Sequence, residues 1–153
     1  MQGARNFLVV NTSPTSRTPG WLAFHNATDQ ANLAAIISVW NQQLATMLQQ
    51  LRAEHADMTI FSFDAWSFFT NLLNGPPAQS NLATTYPMLK GIADYQSWCG
   101  QYGPGNPTGG NQWACDPTCS SGCVYNYFWT DFIHPTWVVV SCDFMRCIMS
   151  SAH

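Results

Sequence analysis

Short apolar runs and one long periodic stretch organise the first half of the chain. Phe7 to Val10 is aromatic and β-branched, ends at Asn11 and is followed by Pro14 and Pro19. This predicts a strand buried on both faces that stops in a turn-rich loop. Thr28-Asp29 offers an N-cap and a first-turn carboxylate, after which Leu33, Ile37, Trp40, Leu44, Leu48 and Leu51 recur at steps of three and four. An amphipathic helix from Thr28 to about His55 is predicted, with Asn41, Gln42, Gln49 and Arg52 on its other face, so that one side packs on a core. Met58 to Phe63 predicts a second strand, closed by Asp64, and Ala65 to Leu73 a second helix, stopped by Gly75-Pro76-Pro77. Strand, helix, strand, helix with crossover-length helices predicts an α/β layered domain with a parallel sheet. Two strands do not complete such a sheet. From Ala78 to Gly122 the chain turns to Gly, Pro, Asn, Ser and Cys, a long irregular excursion of the kind that carries function or disulfides. The sequence shows no internal repeat and no obvious second domain.

Composition narrows the function. The 153 residues are 46% hydrophobic and only 8% charged, so Asn, Gln, Ser and Thr must cover much of the surface. Five basic and eight acidic side chains give a net charge of -3 without a Lys/Arg cluster, which leaves a nucleic-acid backbone almost no counter-charge. Apolar runs such as Phe7 to Val10 and Trp137 to Val140 fall far short of the roughly 20 residues of a bilayer span. Neither nucleic acid nor a membrane is an expected partner.

All six cysteines follow residue 98: Cys99, Cys115, Cys119, Cys123, Cys142 and Cys147. The first four share the Gly/Pro/Asn-rich loop, which has little apolar surface with which to order itself and gains most from cross-links. Disulfides are the favoured reading. Metal binding by Cys115, Cys119 and Cys123 is the rival, set back by three-residue gaps and the lack of a nearby His. Two glycosylation sequons, Asn11-Thr12-Ser13 and Asn26-Ala27-Thr28, and a single lysine agree with secretion. The start does not: residues 1 to 10 hold four consecutive apolar residues, where a signal peptide needs about 7 to 15. Either the chain is intracellular, or its beginning is missing and the full-length form is secreted.

Tyr125 to Thr136 carries the chemistry. A carboxylate three residues before a histidine, in a loop bracketed by aromatics and closed by Pro135, can fold back so that Asp131 accepts a hydrogen bond from Nδ1 of His134. Asp131 then fixes the imidazole tautomer and stabilises the imidazolium formed when Nε2 takes a proton from a hydroxyl nucleophile. His25 and His55, flanking the long helix, read as surface or capping residues. Trp40 and Trp66 fall on helical core phases, whereas Trp98, Trp113 and Trp129 are candidates for lining a substrate cleft.

The run Phe128-Trp129-x-Asp131-x-x-His134-Pro135-Thr136 resembles the last block of the SGNH, or GDSL-type, ester hydrolases. Ala4 to Pro14, with Arg17-Thr18-Pro19 after it, resembles the segment before the long helix in fungal acetylesterases of carbohydrate esterase family 16. The Trp40-Asn41-Gln42-Gln43-Leu44 helix and the Phe61-Ser62-Phe63-Asp64 strand follow in that family's order. The resemblance covers about residues 3 to 137. It implies the C-terminal portion of a three-layer α/β/α SGNH fold, in which Asp131 orients His134 and His134 is the general base of acyl-ester hydrolysis. The implied substrate is an acetyl or other short acyl ester, with carbohydrate as the alcohol side, and neither cofactor nor metal is implied.

The departures matter equally. The family's Gly-Asp-Ser nucleophile block and its Gly and Gly-x-Asn-Asp oxyanion blocks are absent. Ser62 is placed in a strand, Ser67 in a helix and Ser120 and Ser121 in the cysteine loop, none in a Gly-Asp-Ser or G-x-S-x-G turn, so no nucleophile is named. By the resemblance the two strands are the fourth and fifth of a five-stranded parallel sheet, and a missing N-terminal half of the domain supplies the rest. Residues 138 to 153 leave the family pattern and read as a divergent tail. The isolated chain is then expected to be inactive; the alternative is a non-enzymatic, cysteine-stapled secreted module.

Overall fold

The computed structural model describes residues 3–74, 91–99, 126–136 and 139. The first strand, β1 (Asn6–Val10), pairs in parallel with β2 (Thr59–Phe63), Phe7 facing Ile60 and Val10 facing Phe63. Between them run a 3-10 turn at Thr15–Arg17, a short helix α1 (Pro19–Phe24) and the long helix α2 (Ala27–Glu54). Helix α3 (Ala65–Leu73) follows β2 directly. A second two-stranded parallel sheet joins β3 (Asp94–Trp98) to β4 (Tyr127–Trp129). The described architecture is thus mixed α/β with small parallel sheets, as the order of elements predicts.

Helix α2 begins one residue earlier than predicted, and its cap is Asn26 rather than Thr28. The Asn26 side-chain oxygen accepts the Thr28 and Asp29 amides while Asp29 reaches back to the Asn26 amide, a reciprocal arrangement that satisfies donors the first turn leaves free. Along its inward stripe Ile37 and Leu48 are buried and Leu33, Leu44 and Leu51 half-buried. Trp40, predicted on that stripe, is 59% exposed, and Ile36, Val39 and Met47 are exposed with it. The reason lies in what the sheet offers: two described strands give a 28-residue helix too narrow a platform to cover its apolar side.

The same cause corrects the reading of β1. Instead of being buried on both faces, the strand leaves Phe7, Leu8 and Val10 exposed, and Phe61 of β2 likewise. Parallel strands rely on layers over both faces to bury their apolar runs, and the described elements do not supply both.

The core lies elsewhere, around Leu72, Leu73, Ile92, Phe128, Trp129 and Val139, with Phe68, Phe69, Tyr95 and Trp98 packed against it. Ring edges meet ring faces here, Phe69 on Phe128 and Phe128 on Trp129, as the aromatic quadrupole favours. Val139, in the stretch predicted to be a divergent tail, is part of this core. Strands β3 and β4 correct two loop readings. The first falls inside the stretch predicted to be irregular, the second inside the aromatic run before Asp131.

Candidate active site

The loop that carries the dyad is fixed from both ends. On its N-terminal side Trp129 forms an antiparallel bridge with Pro135, the Thr130 amide donates to the His134 carbonyl at 2.8 Å, and the Thr136 amide donates to the Phe128 carbonyl at 2.8 Å. The buried Thr136 hydroxyl adds a bond to the Tyr127 carbonyl at 3.1 Å, so the return strand is stitched to β4. On its outer side Phe132 docks on the start of α1: the Gly20 amide donates to the Phe132 carbonyl at 2.8 Å. Only glycine allows that approach, since a Cβ there would lie 2.7 Å from the Phe132 ring and 3.0 Å from its carbonyl oxygen.

Inside this frame Asp131 holds His134. One carboxylate oxygen accepts the Ile133 and His134 amides, each at 2.7 Å, which closes a tight Asx-type turn. The other lies 2.7 Å from Nδ1 of His134. Partial burial pushes the Asp131 carboxyl up, but the amide and ring bonds from His134 and the Ile133 amide outweigh it, and the net displacement is below the ordinary Asp range. An ionised acceptor at Nδ1 places that nitrogen's proton between the pair and leaves Nε2 free. The imidazole is 74% exposed while Asp131 is largely covered, so the free nitrogen faces solvent. Both residues named from the sequence therefore meet as predicted.

Other candidates fall into place differently. Trp129 is buried at 4% exposure with its indole N-H on the Tyr95 carbonyl at 3.0 Å, so it belongs to the core and also walls the cavity beside the dyad loop. Trp98 is half-buried against the same core, and Trp113 lies outside the described residues. His25 and His55 are exposed and close α1 and α2 through their backbone amides, as capping residues should. Ser62 and Ser67 sit in β2 and α3, and Ser120 and Ser121 lie outside the described residues. Among the described residues no serine hydroxyl is hydrogen-bonded to His134. No group of three or more His, Cys, Asp or Glu side chains there could hold a metal ion. Cys99 is buried and disulfide-bonded; the other five cysteines lie outside the described residues, and with them the choice between disulfides and metal at Cys115, Cys119 and Cys123.

Sequence reasoning missed the supports. A cavity of about 170 Å³ opens between the Ser13 to Thr18 segment and the dyad loop, walled by Pro14, Phe69, Leu73, Trp129, Ile133 and Pro135. Arg17, in the same segment, donates to the Leu73 carbonyl at 2.8 Å and to Asn74 at 2.8 Å, closing the C-terminus of α3. The Arg17-Thr18-Pro19-Gly20 run held the available signal, a cation followed by a capping Thr and a Pro-Gly helix start. No protein-family model matches the chain, and no curated protein sequence matches it significantly.

Proposed function

We propose that this chain supplies the general-base half of an SGNH-type ester hydrolase, as the C-terminal portion of a three-layer α/β/α domain. The observation that carries the reading is the 2.7 Å contact between Asp131 Oδ2 and His134 Nδ1 beneath an exposed imidazole. Nε2 takes the proton from a serine Oγ as that oxygen attacks the ester carbonyl; Asp131 stabilises the imidazolium, which returns the proton to the leaving alcohol. The serine and the oxyanion donors come from an N-terminal half of the domain, and acetyl or short acyl esters of carbohydrate are the proposed substrates. The apolar cavity beside the loop offers room for an acyl or alcohol substituent next to the base.

The test is complementation. Alone, the chain should hydrolyse p-nitrophenyl acetate no faster than its His134→Ala variant, because a base without a nucleophile and oxyanion hole loses most of the acceleration. Co-expressed with the N-terminal half of a fungal acetylesterase it should gain activity that Asp131→Asn and His134→Ala abolish. Serine-directed inhibition of the isolated chain would reveal a nucleophile within it and overturn the division of labour. The alternative, a cysteine-stapled secreted module, has the buried disulfide of Cys99 in its favour. It forecasts no activity in either experiment.

A further inference from the structure

Two sequons, Asn11-Thr12-Ser13 and Asn26-Ala27-Thr28, are left unused by the ester-hydrolase reading. A glycan that the folded chain can carry needs a side-chain nitrogen not committed to the fold and open space beyond it, which puts it on the surface. The two sites differ on these counts. Asn11 ends β1 and is half-buried; its Nδ2 donates to Asp64 at 2.8 Å and its Oδ1 accepts the Trp66 amide at 3.0 Å. Asn11 thus joins β1 to the first turn of α3, where Asp64 is the cap, and it borders the cavity beneath α2. A sugar on that nitrogen would have to share the space of this junction.

Asn26 is exposed, as are Ala27 and Thr28. Its capping work falls on the oxygen alone, which accepts the Thr28 and Asp29 amides at 2.8 and 3.0 Å. Among the described residues neither Asn26 Nδ2 nor the Thr28 hydroxyl has a hydrogen-bond partner. A group added to the nitrogen therefore leaves the cap of α2 intact. We infer that Asn26 is an N-glycosylation site and that Asn11 is not. The donor is an oligosaccharide on a lipid diphosphate: Nδ2 forms a bond to the anomeric carbon, the bond from that carbon to the diphosphate oxygen breaks, and Nδ2 loses one proton as the lipid diphosphate departs. The inference does not depend on the hydrolase reading; it needs only passage through a glycosylating compartment, which the experiment supplies.

The test is translation of the whole chain behind a cleavable signal peptide in the presence of microsomes, reading glycan number on the folded, protease-resistant product from endoglycosidase-sensitive mobility shifts. One shift is expected, lost in Thr28→Ala and in Asn26→Asp and retained in Ser13→Ala. Both loss variants keep the cap, since Thr28 contributes only its backbone amide and Asp accepts the same two bonds. A failure to modify them is then not a failure to fold. Two shifts, a shift lost in Ser13→Ala, or no shift at all would overturn the assignment.

Discussion

Asp131 decides the chemistry of the loop, because its two oxygens do separate jobs: one holds the backbone turn, the other the imidazole. Its carboxyl is displaced below the ordinary value, and a group with a depressed folded-state pKa stabilises the fold above its unfolded pKa and loses that contribution as pH falls through the folded one. The turn should therefore be fully held at neutral pH and loosen only in acid, below about 3.9. Carboxyl NMR of Asp131 should show a titration midpoint under that value; a midpoint above it would contradict the bonding described. Asp131→Asn separates the two jobs. The amide oxygen can still take the Ile133 and His134 amides, but the NH2 then faces Nδ1 and forces it to accept, so the proton moves to Nε2. Ring 15N shifts should report that exchange of tautomers with the turn intact. In the complemented enzyme the rate should fall by about 10⁴, the effect expected of the wrong tautomer. The dyad was legible in the sequence because a three-residue spacing between acid and histidine is a local property, closed within one turn. Its covered acid and open imidazole were not, because these depend on Phe132 meeting Gly20, residues far apart in the chain.

At the scale of elements, legibility follows periodicity. Helix α3 falls on its predicted bounds and β1, α2 and β2 come within a residue or so, since apolar spacing and caps are written in contiguous residues. Strand β3 is hidden by its own chemistry. Asp94 accepts the Gln96 and Ser97 amides, as in a turn, and the register shifts between Asp94 and Trp98, so the segment carries turn residues within a strand. Long-range caps are equally invisible. Arg17 closes α3 from more than fifty residues away, taking the Leu73 carbonyl and the more distant Thr70 carbonyl at 3.4 Å. Arg17→Ala should destabilise the chain by about 1–2 kcal/mol, the range for a partly exposed charged hydrogen bond, seen as a lower denaturant midpoint. Gly20→Ala should cost about 1–3 kcal/mol by overpacking, because the Phe132 carbonyl is backbone and cannot rotate away. Its signature is specific: amide shifts should move from Asp131 to His134 as well as around residue 20. An unchanged dyad loop in that variant would show that α1 does not position it.

The whole molecule divides into a packed end and an uncovered one. Around α3, β3 and β4 the side chains interlock, with Phe128 fully buried and Leu72 and Val139 at 1% exposure. Around β1, β2 and α2 the apolar residues that the sequence marks as core stand open, and the described helices are too few to cover the sheet on both sides. The sequence pattern could not reveal this, because periodicity says which residues want burial, while burial depends on what stands opposite. An exposed run of Phe7, Leu8 and Val10 on a strand without Pro or Lys invites edge pairing with another chain, and a net charge of -3 offers little repulsion. The isolated chain should therefore self-associate and bind a hydrophobic dye at micromolar concentration. Leu8→Lys tests the cause. Leu8 is 46% exposed, so lysine there loses little packing while placing a charge on the strand; light scattering should fall and the denaturant midpoint should stay nearly unchanged. If the lysine unfolds the chain instead, Leu8 packs within the folded chain and the open strand is not the cause of association. A monomeric parent with a sharp melt and no dye binding would show that the open strands are tolerated as they stand, and the case for a complementing N-terminal half would lose its structural support.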